Sequence, residues 1–389
     1  MRDLRRRSTV RMFCAAGAGL ALAAYGFATS ASAGSGPAGP ARTASVPSAV
    51  TKALATADAV PRFTSPGSPF NARVDKGKTI FVIPTTSTNP FNASIYTGMQ
   101  QAAALVGIHL INYSNQGQVS QWAAGINQAI AQHADLILLL SAPFPDELQP
   151  QLKKARAAHI PVLVTNFYPE GSAVPANVTA LVRAPMFTVG RLMADQAIAE
   201  SGGTADVMIV TDRSAVPAAP AVEAGIRQEL KAQCPKCRVG DLVNVPFLNA
   251  ATQMPTAVSA GLTKNPDIHY IIPVFDAFVQ DVLPGVNVAH AQSKVRIISF
   301  NGQPAVLSQI ASKVVDSDAG QDLTWVGWGD MDQAMRILAG LKPLPGMADV
   351  APLRMWTAAN IKQTGNPPKS GVGYGTAYVA GYKKLWKLG

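Results

Sequence analysis

The sequence predicts an α/β protein made of two doubly wound parallel-sheet lobes that are joined by a hinge. The chain has 389 residues, and single hydrophobic cores stop growing at about 250–300 residues, so two cores are expected. Its apolar residues form short continuous runs, as in strands that are covered on both faces. These runs alternate with segments of helical periodicity. The alternation stops near Val182 and then begins again, which indicates two similar halves.

The first 33 residues are organised as a secretory signal peptide. A basic stretch with five arginines is followed by an apolar run over residues 12–28 and by the small-residue cleavage motif Ala31-Ser32-Ala33. An apolar run of about 17 small residues is short for a membrane helix, so cleavage is favoured over anchoring. The residues leave Sec and twin-arginine export open. We expect an exported protein, periplasmic or extracellular and associated with the cell envelope.

Residues 34–77 predict a tether, because they are rich in Ala, Pro, Ser and Gly. A short helix over residues 49–59 is expected to interrupt it. Thr79–Pro84 then forms a continuous apolar strand. The next helix has Ile95, Met99 and Val106 on one face and ends at Gly107. The rest of the first half is predicted to contain strands at 109–113, 135–140 and 161–165 and helices at 119–132 and 147–158.

The second half repeats this alternation. Its predicted helices cover residues 185–200, 218–233, 251–262 and 277–286, and its predicted strands cover 205–210, 239–245, 268–273 and 295–300. We therefore assign residues 78–182 and 322–360 to lobe 1, and residues 183–321 and 361–389 to lobe 2.

The net charge of +10 does not indicate nucleic-acid binding. Residues 1–33 contain five Arg and one Asp, so the remainder carries 28 basic and 22 acidic residues, or +6. That excess is scattered, with no basic stripe interleaved with aromatic residues. No other apolar run approaches the length of a membrane helix.

Two cysteines remain after signal cleavage, Cys234 and Cys237. In an oxidising compartment they are expected to form a disulfide with each other. The alternative is a redox-active C-x-x-C pair, but such pairs lie at a helix N-terminus, whereas this one follows a predicted helix end. A zinc site would need more Cys or His nearby, and no metal or cofactor is indicated.

The segments that follow the predicted strands have the composition of a neutral binding site. In α/β proteins with parallel sheets, ligands bind beyond the carboxyl ends of the strands. These segments are poor in charge and rich in Asn, Thr, Ser and Phe, and they cover residues 85–92, 141–143, 166–168, 211–214, 274–276 and 301–303. Amides both donate and accept hydrogen bonds, and aromatic rings can pack on the apolar face of a sugar.

An ordered series of motifs resembles the ribose-binding branch of the sugar-binding type I periplasmic binding proteins, in their actinobacterial type. The series consists of Thr79-Ile-Phe-Val-Ile-Pro, Asn89-Pro-Phe, His159-Ile-Pro-Val, Lys264-Asn-Pro-Asp and Ile297-Ile-Ser-Phe-Asn-Gly. The resemblance covers nearly everything from Lys76 to about Trp356. It implies a monomeric, non-enzymatic protein that closes over a small ligand and delivers it to the permease of an ABC importer.

Matching by position to this family gives a set of expected ligand contacts. Asn89 and Phe91 fall where the family binds and stacks on its sugar, and Gln321 falls on a hinge glutamine. Asn and Phe replace several charged residues of the family, as at Asn166 and Phe167. Trp325, just past the hinge, could line the cleft or be buried, as could Trp328. The full set is Asn89, Phe91, Asn92, Asn166, Phe167, Phe275, Asp276, Asn301, Gln321 and Trp325.

Replacing the charged residues changes the expected ligand. Charge-assisted hydrogen bonds contribute about 1.5–3 kcal/mol each, against about 1 for neutral ones, so tight binding of a small pentose is not expected. We expect a neutral ligand that is larger or less hydroxylated than ribose, such as a glycoside, a nucleoside-like compound or an aromatic alcohol.

Three other functions are alternatives to solute capture. A secreted enzyme is disfavoured because the sequence has neither a G-x-S-x-G elbow nor an H-E-x-x-H motif. A repressor built on the same fold would carry an N-terminal helix-turn-helix where this chain has a signal peptide. A ligand sensor that feeds a chemoreceptor or histidine kinase remains an alternative that the residues do not separate from import.

Overall fold

The computed structural model describes residues 46–141, 143–213 and 218–388. The predicted signal peptide and the first part of the predicted tether lie outside the described residues. Two β-sheets form the framework, one in each lobe. The prediction of a two-lobed parallel α/β fold is confirmed.

The sheet of lobe 1 has five parallel strands in the order β2-β1-β3-β4-β5. These strands are β1 (Thr79–Pro84), β2 (His109–Asn112), β3 (Leu136–Leu140), β4 (Val162–Pro169) and β5 (Ala180–Ala184). Three helices connect them, α2 (Pro90–Val106), α3 (Val119–Ala131) and α4 (Gln149–Ala157). Every residue of β3 is buried, as its continuous apolar run predicts. Helix α2 ends at Gly107, which adopts the left-handed conformation that favours glycine.

The sheet of lobe 2 has six strands in the order β11-β10-β9-β8-β6-β7. They are β6 (Asp206–Thr211), β7 (Arg238–Asn244), β8 (Tyr270–Pro273), β9 (Arg296–Asn301), β10 (Ser317–Gln321) and β11 (Leu353–Thr357). All neighbours are parallel except β10 and β11. The connecting helices are α5 (Met186–Glu200), α6 (Ala218–Gln233), α7 (Ala250–Lys264), α8 (Val279–Val288) and α9 (Pro304–Ala311).

The C-terminal part of the chain is divided between the lobes differently from the sequence-based assignment. Helix α10 (Leu323–Leu338) packs on α2 of lobe 1, as expected. Strand β11 lies in the segment predicted for lobe 1, but it joins the sheet of lobe 2 because it pairs with β10. Helix α11 (Ala377–Leu385) lies in the segment predicted for lobe 2, but it buries Tyr378 and Tyr382 in the core of lobe 1. Both differences arise from pairings between residues far apart in the sequence.

The described part of the predicted tether packs on the protein. Helix α1 (Ser48–Asp58), close to the predicted 49–59, buries Val50 and Ala57 in the core of lobe 2. Phe63 and Phe70 further along pack on lobe 1. The tether prediction is therefore wrong for residues 46–77, because this proline-rich segment also carries apolar residues that cover both lobes.

Cys234 and Cys237 are joined by a disulfide bond just after α6. Across 46–141, 143–213 and 218–388, no helix is both long and apolar enough to cross a membrane. The same described ranges contain no group of three His, Cys, Asp or Glu side chains that could hold a metal ion.

Candidate functional site

The carboxyl ends of the strands in both lobes are directed toward the region between the lobes. The chain passes from lobe 1 to lobe 2 directly after β5, and it returns directly after β10. Each crossing begins at a strand's carboxyl end, so the two carboxyl edges border the same cleft. The contact of α6 with β4 across the interface agrees with this arrangement. In parallel sheets, this edge is where ligands bind.

Three strand exits at this cleft have strained backbones. Ser141 directly follows β3 and has φ 58°. Asn166 lies in β4 just after the last residue that pairs with β3, and it has φ 55°. Asn301 is the last residue of β9 and has φ 145°. Non-glycine residues seldom adopt positive φ, and such strain is concentrated at functional sites. The side-chain oxygen of Ser141 is also buried without a hydrogen-bond partner. Nothing in the sequence marks these backbone angles, although Asn tolerates them better than most residues.

On lobe 1, Asn89 and Asn92 lie at the start of α2. Asn89 is the N-cap, and its side-chain oxygen accepts a hydrogen bond from the backbone N–H of Phe91 at 2.9 Å. Asn92 is buried and donates to the Thr86 carbonyl at 3.4 Å, while its own side-chain oxygen has no partner. The ring of Phe91 is half-buried at the edge of the core. The capping role thus falls on Asn89, and Asn92 keeps a free acceptor.

Asn166 and Phe167 at the end of β4 have different surroundings. The Asn166 amide donates to Asp330 of α10 at 2.9 Å. Burial raises the pKa of Asp330 well above its ordinary value, against the opposing effect of its hydrogen bonds. Phe167 is 2% exposed, and its ring packs edge-on against Phe144 at 5.2 Å and Tyr168 at 5.1 Å. Phe167 is therefore a core residue, and Asn166 is half-buried beside it.

On lobe 2, Asp276 is buried and engaged within the protein. Its two oxygens accept hydrogen bonds from the Ser299 hydroxyl at 2.8 Å and from the Gln303 backbone N–H at 2.9 Å. The same hydroxyl lies 2.9 Å from Asp318. The shared hydroxyl brings the two carboxyl groups close together, and like charges at short range disfavour ionisation of both. Burial raises the pKa of Asp318, and the neighbouring Asp276 raises it further.

Phe275 belongs to an aromatic cluster at the carboxyl ends of β7, β8 and β9. Its ring lies 6.4 Å from both Phe278 and Phe300. Phe247 packs edge-on against Phe278 at 5.9 Å. Phe247 is 41% exposed and Leu248 beside it is 91% exposed. Lobe 2 therefore presents an apolar surface at this edge, which matching by position detected only at Phe275.

Gln321 lies at the hinge, where the chain returns from β10 to lobe 1. Its amide donates to the Ala351 carbonyl at 2.6 Å, which joins this crossing to the one before β11. Next to it, Asp322 caps α10 by accepting from the Thr324 and Trp325 backbone N–H groups at 2.9 and 3.1 Å. Burial raises the pKa of Asp322 to about 6, against the effect of these bonds.

Trp325 is buried in lobe 1 and does not line the cleft. It is 4% exposed and stacks on Tyr378 of α11 at 4.8 Å. Trp328 is buried as well and stacks on Trp386 at 5.3 Å. Burial of Trp328 agrees with the alternative that its helical spacing left open.

A tyrosine that sequence reasoning did not single out fills the hinge. Tyr374 is buried, and its hydroxyl accepts from the indole N–H of Trp356 at 2.7 Å. A Cβ atom at Gly302 or Gly320 would overlap this hydroxyl. The glycine-rich segment 371–375 is thus a packing loop, in which small residues at β9 and β10 make room for one ring.

Among the expected contacts, seven lie at the cleft edges or the hinge, namely Asn89, Phe91, Asn92, Asn166, Phe275, Asn301 and Gln321. Phe167, Asp276 and Trp325 have their side chains engaged in the cores. Sequence reasoning missed Tyr374 and Phe247, and it placed Ser141 only within a broader strand-exit segment.

Comparisons with known proteins agree with this architecture. A family profile described as "Periplasmic binding protein domain" matches residues 80–342. The ribose import binding protein of Escherichia coli is 22% identical over 269 residues, covering 68% of this chain and 86% of that protein. The family match confirms the resemblance that the ordered motifs indicate.

Two solved structures show the same fold. A solute-binding protein of an ABC transporter from Burkholderia graminis, in complex with D-arabinose, aligns with a TM-score of 0.62 and 20% identity, over 74% of this chain and 97% of that one. A solute-binding protein of an ABC transporter from Actinobacillus succinogenes, with bound D-allose, aligns with a TM-score of 0.63 and 18% identity. This alignment covers 73% of this chain and 99% of that one. About a quarter of this chain thus lies outside each alignment.

Proposed function

Because the chain belongs to the periplasmic binding protein family, we propose that it captures a small neutral solute, a sugar or sugar-like molecule, between its two lobes and delivers it to the permease of an ABC importer. The names of its relatives support this proposal, since they include ribose import and bound D-arabinose and D-allose. Binding and release are the whole of the proposed activity, with no catalytic step.

The observation that carries the proposal is the strain at the strand exits. Asn166 on lobe 1 and Asn301 on lobe 2 hold polar side chains on backbones that cost free energy to maintain. Both lie at the carboxyl ends of strands that border the cleft. An amide at each wall of a cleft can donate and accept hydrogen bonds with ligand hydroxyls.

The engagement of charged groups supports a neutral ligand. Asp276 is held by Ser299 and Gln303. Asp322 caps α10, and Arg213 after β6 pairs with Glu223 of α6. A charged ligand would need an opposing charge that is not already paired, because burying an isolated charge is costly.

The aromatic surface of lobe 2 narrows the proposed ligand class. Phe275 is half-buried at the cleft edge with Phe247 nearby, and Phe91 lies at the start of α2 in lobe 1. Flat rings pack well on the apolar face of a pyranose or on an aromatic group. We therefore favour a glycoside, a nucleoside-like compound or an aromatic alcohol over a small pentose.

Closure of the hinge is the proposed mechanism. The ligand binds to one lobe, and the closed state is favoured because it adds the contacts of the other lobe. The hydrogen bond from Gln321 to the Ala351 carbonyl connects the chain crossing after β10 to the crossing before β11. A rotation of one lobe relative to the other would therefore strain this hydrogen bond. The permease would then recognise the closed form.

A thermal-shift screen of sugars, glycosides, nucleosides and aromatic alcohols tests the ligand class. A ligand present at about 100 times its Kd stabilises the folded state by about 2.7 kcal/mol, which raises the Tm measurably. Charged amino acids and organic acids serve as comparison compounds. Stabilisation by the charged compounds alone would contradict the proposal.

Asn301→Gly then tests the site with the compound that the screen identifies. Glycine relieves the positive φ, so the variant should be as stable as the parent or more stable. Loss of the amide should weaken binding by about 5- to 10-fold, as expected for one neutral hydrogen bond. If calorimetry shows the same affinity for Asn301→Gly and the parent, Asn301 does not contact the ligand.

Asn177→Gly is the matched control for this variant. Asn177 also has a positive φ, of 61°, but it precedes β5 and lies at the opposite edge of the sheet. This variant should leave the affinity unchanged. An equal loss of affinity in both variants would mean that the effect does not come from the cleft.

A further inference from the structure

Residues 46–75, here called the strap, contact both lobes before the first strand begins. We propose that the strap is a brace that limits how far the two lobes can separate. This inference rests on the hinge motion of the proposed function, and it concerns a device that the motion itself does not require.

The first anchor of the strap is on lobe 2. Helix α1 packs against α5 and β11, with Val50 and Ala57 buried. At its end, the Asp58 carboxylate accepts a hydrogen bond from the Asn360 amide at 2.7 Å. The Asp58 carbonyl accepts another from Arg354 at 3.2 Å. Apolar burial and two polar contacts therefore fix this end.

The second anchor begins at Phe63 on lobe 1. Its ring packs edge-on against Tyr382 at 5.0 Å and lies 6.1 Å from Trp325. Gly381 lies directly beneath the ring, and a Cβ atom at that position would overlap it. The missing side chain of Gly381 thus leaves the space that the ring of Phe63 occupies.

The strap remains attached to lobe 1 beyond Phe63. The Arg336 guanidinium lies over the Phe70 ring at 4.6 Å. The Phe70 backbone N–H donates to the Leu385 carbonyl at 2.9 Å, and that of Ala72 donates to the Trp386 carbonyl at 3.2 Å. Backbone and side chains together hold this part of the strap on α10 and α11.

Only residues 59–62 connect the two anchors. The five residue steps from Asp58 to Phe63 can span at most about 18 Å. Pro61 stiffens this short connection. Val60 lies beside Gly375, so the strap crosses next to the passage of the chain from lobe 2 to α11. A separation of Asp58 and Phe63 beyond that span would have to break an anchor.

The brace lies outside the part of the chain that the family profile matches. That match begins at residue 80 and ends at residue 342. The strap precedes it, and Tyr382 and Asn360 follow it, whereas α5 and Arg336 lie within it. The strap itself and part of each anchor therefore belong to segments that the match to the family does not account for.

The test lengthens the connection while keeping both anchors. A flexible Gly/Ser linker of about ten residues is inserted between Val60 and Pro61, which raises the span limit to about 50 Å. Spin labels at Gln100→Cys in α2 and Gln228→Cys in α6, both exposed, report the distance between the lobes. Without ligand, we expect a broader distribution and a mean distance longer by about 5 Å or more.

The same linker between Val174 and Pro175 is the matched control. This second Val-Pro pair has an exposed valine and lies in the loop between β4 and β5, within lobe 1. The control should leave the distance distribution unchanged. Phe63→Ala provides an independent test, because it weakens the lobe 1 anchor without an insertion, and it should shift the distribution in the same direction.

Unchanged distributions in both the Val60 insertion and Phe63→Ala would overturn the brace. Because these distances are measured without ligand, they are independent of the ligand screen. A screen that finds a ligand together with unchanged distances would contradict the brace alone. Lengthened distances without any stabilising solute would contradict the proposed ligand class alone.

Discussion

Asparagine side chains have two roles in this protein, as helix caps and as polar groups with free hydrogen-bonding capacity. The sequence does not distinguish the two roles. Asn89 and Asn92 lie three positions apart at the start of one helix, and either could be the cap. The structure gives the cap to Asn89 and buries Asn92 with a free acceptor. The difference depends on one backbone geometry, since the cap residue must be extended while its successors are helical. Composition alone predicts that amides gather here, without assigning their roles.

Substitutions at Asn89 can separate capping from binding. Asn89→Ala removes the cap and should destabilise the protein by about 1 kcal/mol. Asn89→Asp keeps an acceptor for the Phe91 N–H, so it should retain the stability of the parent, but it removes the amide donor. If Asn89 also donates to the ligand, Asn89→Asp should weaken binding by about 5-fold or more. Urea unfolding and calorimetry measure the two effects, and an affinity equal to that of the parent would leave Asn89 as a cap only.

At the scale of the element, each lobe is built around a pair of helices that meet through glycines. In lobe 1, a Cβ atom at Gly98 of α2 would overlap the Thr324 carbonyl, and one at Gly327 of α10 would overlap the Ile95 carbonyl. In lobe 2, Gly190 and Gly225 play the same part between α5 and α6. Helical periodicity predicts the helices, yet the glycines within them reveal their partners only once the fold is known.

Gly327→Ala tests this close approach. The added methyl group would meet backbone atoms, which cannot move aside, so we expect destabilisation by about 1–3 kcal/mol in urea unfolding. Gly125→Ala in α3 is the control, because its methyl group would meet the side chain of Tyr113. That ring can shift, and alanine gains up to about 1 kcal/mol of helix propensity. Equal destabilisation of both variants would contradict the proposed role of backbone contact.

Most elements between residues 79 and 301 could be predicted within a few residues, because most strands are continuous apolar runs and the helices have one apolar face. Strand β5 is not predicted, because it lies at the break near Val182 where the alternation stops. The other errors involve β11, α11 and the strap. Strand β11 is short and is recognised only through its pairing with β10. The strap looks like a linker by composition, but a few apolar residues among its prolines suffice to bind it to both lobes.

At the scale of the whole molecule, buried carboxyl groups occur in both lobes and at the hinge. Burial raises the pKa of Asp75 from 3.8 to about 7. It also raises that of Asp195 to about 7, with a further contribution from Glu229, and that of Asp322 to about 6. The sequence shows where the acids are, but their enclosure depends on long-range packing. Because the pKa values of these acids are all raised, the stability of the whole protein should depend on pH.

Stability should fall as the pH rises from about 5 to about 8. An acid whose pKa is raised by folding binds its proton more tightly in the folded state, so its favourable contribution is lost as the pH passes its folded pKa. Glu223 has the opposite effect on stability: burial raises its pKa, but hydrogen bonds and charge pairing with Arg213 and Arg227 outweigh burial and lower it. Its contribution to stability is therefore lost only as the pH drops below its ordinary pKa of 4.5, which is outside this range. Urea unfolding at each pH measures the trend, and stability that increases across the range would contradict it.

Asp75→Asn should reduce this loss of stability. Both oxygens of Asp75 are buried without a hydrogen-bond partner, so the neutral amide avoids the cost of burying a charge. At about pH 8 the variant should be more stable than the parent by about 1–3 kcal/mol, and at about pH 5 the difference should nearly vanish. Asp135→Asn is the control, because Asp135 pairs with Lys78 at 3.0 Å and accepts from the Thr79 N–H at 2.8 Å. It should destabilise the protein at both pH values, whereas the same pH dependence in Asp75→Asn and the parent would exclude Asp75 as a source of the trend.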